Sequence, residues 1–347
     1  MLCSPKPELP PQQRAVVYTA CMICSAQTPR SVQLEALFPQ GVPGLWCKLL
    51  THCLPDGQID WARMQAQLAF VRPHIQGFVL LDDDTVSLKL DAAERQKLID
   101  WAMQSLRPRR EFLMVATTAS QAMRDADLFS SEEASSFTGL LVRPELPEQA
   151  SQQELIDALT PVLRLNLPIA LQQSDGTTSS LYAGQSVATM ATRHENLLYF
   201  ADASGEDAIA RSGLLPAGLF KLRSAEGNYA QALASSGGLY HGLMLASANV
   251  FPEQLAQVVL APALGKWDES RAFSARITQV IDSTRFLAQS LPRAIRAIDH
   301  FMAFGPDAMK AAAPIAPNGS PLRHELLQAV ESILTKEQLM PEKGYLS

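Results

Sequence analysis

From Gly44 onward the chain alternates short apolar runs with amphipathic stretches, one run roughly every 28 residues. The runs at 44–51, 76–81, 111–116, 138–142, 168–172, 196–201, 217–223 and 242–247 predict β-strands. Between them lie helical patterns such as Asp60–Val71 and Asp91–Gln104. Asp91 stands three residues before Glu94, the spacing of a capping box, in which each residue's side chain bonds the other's backbone N–H. Strands that alternate with helices form parallel β/α units, and eight such units predict a closed TIM (β/α)8 barrel. After Pro262 the pattern turns helical, over 268–291, 293–303 and 320–335, broken by Pro292, Pro306 and the loop Pro314–Pro321. The expected division is an N-terminal extension (1–41), the barrel (42–265) and a C-terminal helical region (266–347).

Composition narrows the function classes. With 347 residues, 47% of them hydrophobic and 18% charged, the chain can bury a large core without any apolar run of membrane length. A formal net charge of −6, with no basic cluster interleaved with aromatics, argues against nucleic-acid partners. The five cysteines are Cys3, Cys21, Cys24, Cys47 and Cys53. Cys21-x-x-Cys24 has no second pair to complete a zinc site, so ordinary thiols in a cytoplasmic protein are expected. Residues 1–14, rich in proline and glutamine, read as a flexible arm. The following stretch, Ala15–Ala26, is too polar at Tyr18 and Thr19 for a signal peptide. Neither a phosphate loop nor a G-x-S-x-G elbow is present, and no cofactor is implied.

In a parallel barrel the chemistry collects at the C-terminal ends of the strands. That rule places Thr51, His52, Asp82, Asp83, Asp84, Gln172, Gln173, Asp202, Glu226, Asn228 and Ser247 around one mouth. Of nine lysines, only Lys48 and Lys221 fall on predicted strands. Lys221 lies near the start of its strand, at the wrong end. Lys48 sits inside Leu45-Trp-Cys-Lys-Leu-Leu50, a run that reads as buried on both faces, where a lysine needs a partner. Two readings remain open: an ion pair with the Asp82–Asp84 cluster, or a desolvated amine poised for Schiff-base chemistry. The Asp triplet with His52 is either a solvated acidic loop or a hard-oxygen site for a divalent cation.

Asn196-Leu-Leu-Tyr-Phe-Ala-Asp-Ala-Ser-Gly205 resembles the N-V-V-G-I-K-D-S-S-G strand of the dihydrodipicolinate synthase / N-acetylneuraminate lyase family, the class I pyruvate aldolases. Thr51 with Asp56-Gly57-x-Ile59-Asp60 resembles its T-P-F-x-x-x-G-x-V-D opening, Leu167-Pro-Ile-Ala-Leu171 its fifth strand, Ala248-Asn249-Val250-x-Pro252 its eighth, and Gly305-Pro306-x-x-x-Lys310 its C-terminal N-P-x-x-x-K. The ordered set spans about residues 42 to 330. The resemblance implies the barrel, a small molecule bound at its mouth and a homo-oligomer. Its chemistry does not carry over. Ala201 stands at the Schiff-base lysine, Gln172 at the proton-relay tyrosine, and Leu146-Pro147 at an aromatic pair. Asp82-Asp83-Asp84-Thr85-Val86 replaces the carboxylate-binding G-T-T-G-E. An alanine methyl cannot condense with a ketone, and glutamine does not titrate near neutrality. Two hypotheses follow. One is a non-catalytic member that binds a small ligand or a protein; the other is a divergent lyase working through Lys48 or a metal at Asp82–Asp84. Three carboxylates suit a cationic or polyhydroxy ligand better than pyruvate.

Overall fold

The computed structural model describes residues 28–82, 90–106, 111–129, 137–147, 149–173, 182–316 and 319–347. Eight strands, β1 (Leu45–Lys48), β2 (Gly77–Leu80), β3 (Phe112–Thr118), β4 (Phe137–Arg143), β5 (Ile169–Gln173), β6 (Leu197–Asp202), β7 (Phe220–Arg223) and β8 (Gly242–Leu245), close into a parallel barrel, with β8 paired to β1. The expected fold is present: a TIM barrel followed by C-terminal helices. Each expected strand is found within its predicted run or overlapping it.

Strand alternation sorts the core into two shells. Successive side chains point to opposite faces. Trp46, Val79, Met114, Leu141, Ala170, Tyr199, Ala201, Leu222 and Met244 therefore meet inside the barrel. Their neighbours Cys47, Phe78, Leu80, Val115, Val142, Leu171 and Leu245 face the surrounding helices. Both faces being covered explains why the strands read as continuous apolar runs.

The N-terminal end of the barrel is closed by aromatics. The Pro29–Leu37 helix, capped by Thr28, lies beneath the strands, and the following Phe38 packs edge-on against Trp46, Phe112 and Tyr199. Arg30 pins that helix by donating to the carbonyls of Leu197 (2.8 Å) and His194 (3.0 Å). Thus residues 28–38 of the expected extension are part of the barrel floor.

The capping box forms as expected: Glu94 N donates to Asp91 Oδ1 at 2.8 Å, and Asp91 N to Glu94 Oε2 at 3.1 Å. Beyond the barrel stand the Trp267–Ala288, Leu291–Phe304 and His324–Lys336 helices. The break expected at Pro292 falls earlier. Gln289 takes a left-handed φ of 59° to end one helix, and Ser290 caps the next. Pro292 lies in the new helix's first turn, where backbone N–H groups have no intrahelical acceptor and proline costs nothing. No helix among the described residues is long and apolar enough to cross a membrane.

Candidate ligand site at the barrel mouth

Inside the mouth, Lys48 and Asp82 meet. Lys48 ends β1 on the same face as Trp46, and its Nζ lies 2.8 Å from Asp82 Oδ2, with side-chain exposures of 13% and 9%. Asp82 follows Leu81, whose φ of 65° is left-handed and costly for a side chain with a Cβ. That turn ends β2 immediately before the carboxylate. Asp82 Oδ1 is buried with no hydrogen-bond partner among the described residues. Asp83 and Asp84, and with them most of the acidic loop, lie outside the described residues.

Across the barrel, Ala201 is fully buried in β6, in register with Gln172 of β5 and Leu222 of β7. Gln172 is also buried, and its Oε1 has no partner among the described residues. Gln173 points the other way and accepts the Tyr182 N–H at 2.9 Å. Leu146 packs against the outer core shell.

Other candidates are engaged in local structure. Asp202, one residue past Ala201, faces outward by strand alternation. It accepts from Ser204 Oγ (2.6 Å) and Tyr240 Oη (2.9 Å), while Tyr240 also reaches Asp207, which Arg223 holds. Glu226 accepts from Ser247 N and Oγ (3.0 and 2.6 Å) and from Tyr229 Oη (2.8 Å), tying the β7 and β8 exits together. Asn228 sits at a left-handed φ of 51°, its backbone N–H bonded to Thr278 Oγ1 at 3.1 Å. Lys221 lies on the outer face near the start of β7, as expected.

Thr51 and His52 belong to a second polar cluster, built with residues the sequence reading did not single out. Asp299, on the Leu291–Phe304 helix, has no solvent exposure. It accepts from Arg63 Nη2 at 2.7 Å, Tyr345 Oη at 2.9 Å and Gln67 Nε2 at 3.4 Å. His52 Nε2 donates to Gln67 Oε1 at 3.0 Å, and Arg296 Nη2 to the Thr51 carbonyl at 3.2 Å. Burial drives the His52 pKa down to about 3, so the ring is neutral at physiological pH. Burial alone would raise Asp299, yet the facing Arg63 guanidinium and the Tyr345 hydroxyl hold its carboxyl below the usual range. One signal was available: Arg296, Asp299 and His300 are the only strongly polar residues in Ala294–Phe304. An arginine, an aspartate and a histidine within an apolar helix imply buried partners.

The described residues contain no group of three or more His, Cys, Asp or Glu side chains placed to hold a metal ion. Three solved structures with the same architecture place the chain. YagE, a prophage protein of the dihydrodipicolinic acid synthase family from E. coli K12 solved with pyruvate, superimposes with a TM-score of 0.66 at 19% identity, over 85% of this chain and 98% of its own. The dihydrodipicolinate synthase of Thermotoga maritima gives 0.69 at 18%, over 86% and 99%. The 4-hydroxy-tetrahydrodipicolinate synthase of Methylacidiphilum fumariolicum SolV gives 0.69 at 18%, over 86% and 96%. The fold is that of the dihydrodipicolinate synthases. No protein-family model and no curated protein matches the sequence. At these identities the dihydrodipicolinate synthase likeness speaks for architecture, and function has to be argued from the site.

Proposed function

We propose that this protein is a dihydrodipicolinate synthase-like barrel that binds a small molecule at its mouth without Schiff-base chemistry. The reading rests on one observation: the position aligned with the reactive lysine is Ala201, buried against Gln172, while the inward lysine, Lys48, is ion-paired with Asp82. Held 2.8 Å from the Asp82 carboxylate, the Lys48 amine is engaged as an ion-pair partner and is not presented to a carbonyl. Gln172 cannot relay protons. At the mouth, Asp82 Oδ1 and Gln172 Oε1 are buried acceptors without partners among the described residues, which favours a ligand that donates hydrogen bonds, a polyol or an ammonium compound, over a 2-oxo acid. The metal-dependent alternative rests on Asp83 and Asp84, outside the described residues.

The test is borohydride reduction in the presence of pyruvate, read by intact mass and peptide mapping. The expected result is no adduct and no dihydrodipicolinate synthase or sialic-acid lyase turnover. An adduct mapped to Lys48 would replace this reading with a relocated Schiff base. The double variant Ala201→Lys with Gln172→Tyr is likewise expected to trap little pyruvate, because Asp82 remains where a carboxylate would dock.

A further inference from the structure

Beside the mouth, a cavity of about 390 Å³ opens between the 51–58 loop, the Trp61–Val71 and Ala92–Leu106 helices, the Leu291–Phe304 helix and the turn around Pro314–Ala316. Its volume falls within the range of sites for small ligands. Two guanidinium groups, Arg63 and Arg296, line it together with three carboxylates, Asp299 on the inner wall and Asp56 and Glu94 nearer the rim. Asp299 is already saturated by Arg63, Tyr345 and Gln67. Of the two outer acids, Glu94 is tied to the Asp91 N–H and Asp56 to the Gln58 N–H. Arg63 gives only Nη2 to Asp299, and its buried Nε has no partner among the described residues. Arg296 is nine-tenths buried. An arginine fork carries five N–H donors, so it can keep a structural partner and clasp a carboxylate at the same time. The lining also has an apolar part, Leu54, Leu90, Pro314 and Ile315, beside the polar Thr51, His52 and Gln58.

We infer that this cavity is a binding site for small organic carboxylates, the carboxylate held by Arg63 and Arg296 and the apolar body resting against Leu54, Leu90 and Ile315. The site stands apart from the Lys48–Asp82 mouth and does not depend on whether Lys48 reacts. Guanidinium groups in a part-dry cleft select the anion by paired, charge-assisted hydrogen bonds, and an uncharged amide of the same shape loses them.

The test is isothermal titration of the full-length chain with benzoate and hexanoate, each beside its amide. Benzoate is expected to bind with a Kd of about 1 mM or tighter, the range of a fragment its size, and benzamide about tenfold more weakly or worse. Arg296→Lys keeps the charge but loses the fork, and should weaken benzoate by about tenfold. Because a helix variant can fail to fold, Ile315→Trp fills the cavity from its loop wall instead. It should abolish binding while leaving the melting midpoint in place. The inference is overturned if neither carboxylate binds, if the amides bind equally well, or if Ile315→Trp, or a folded Arg296→Lys, binds benzoate unchanged. Calorimetry reads binding and borohydride trapping reads covalent chemistry, so either proposal can fail while the other stands.

Discussion

The mouth and the seam beside it each bury a carboxylate, and they neutralise it in different ways. At the mouth Asp82 has one partner, Lys48, and one oxygen without a hydrogen bond among the described residues. At the seam Asp299 has three donors, two from the Trp61–Val71 helix and one from the C-terminal Tyr345, and no exposure. A buried charge with incomplete partners is held by the fold at a cost; a charge with complete partners helps define which fold forms. The first arrangement suits a site that a ligand finishes. The second suits a clasp between the barrel and its C-terminal helices.

Breaking the clasp should therefore do the most damage. Asp299→Ala leaves Arg63 buried without its counter-ion and is expected to cost about 3–5 kcal/mol, read as a fall in the denaturant midpoint with unchanged slope. An effect below 1 kcal/mol, of the size typical for exposed pairs, would mean water reaches the cluster.

Acid should probe the same cluster without mutation. Folded His52 takes its proton only near pH 3, whereas an unfolded histidine takes it near 6.5. Between those values the unfolded chain binds more protons, so stability is full above about pH 6.5 and declines as pH falls toward 3, by up to a few kcal/mol. His241, which burial holds down to about 4, adds to the same slope. His52→Gln should flatten the profile in part, and identical pH profiles for the two proteins would place His52 in water.

The mouth should respond less, and asymmetrically. Asp82→Ala strands the Lys48 ammonium and is expected to cost about 2 kcal/mol, below the fully buried value because both groups keep some exposure. Lys48→Met should stay within about 1 kcal/mol of the parent, since a methionine fills the space without a charge. Equal small effects would show that Lys48 reaches solvent. Back at the seam and between those two in size, Tyr345→Phe removes one neutral donor from Asp299 and should cost about 1–2 kcal/mol, leaving Arg63 to hold the carboxylate.

The sequence carried the barrel well because strand and helix periodicities are local, and each of the eight runs is bounded by its own turn chemistry. The Lys48–Asp82 pair was legible too, because β1 and β2 are neighbours and a lysine in an apolar run demands a counter-ion. Asp202 was misleading: it sits in the motif that suggested the family, yet alternation turns it outward to Tyr240. The seam was not legible, because its members come together only in three dimensions. Arg63 and Asp299 are 236 residues apart and Arg296 and Thr51 are 245 apart. Nothing in the local pattern of Trp61–Val71 marks Arg63 and Gln67 as partners of a helix more than two hundred residues later.

That separation also bears on how the chain is made. A ribosome presents Thr51, His52, Arg63 and Gln67 long before Asp299, and Asp299 before Tyr345, whose ring stacks on Phe70 at 5.1 Å. During synthesis the first strand and helix must therefore wait, with an unclosed polar face, for the last segment to emerge. Contacts this distant in sequence carry a large loop-closure cost and form late. Docking of Tyr345 should accordingly fall among the last events of folding, and a nascent chain stopped short of it should be more open to proteases along Trp61–Val71 than the finished protein.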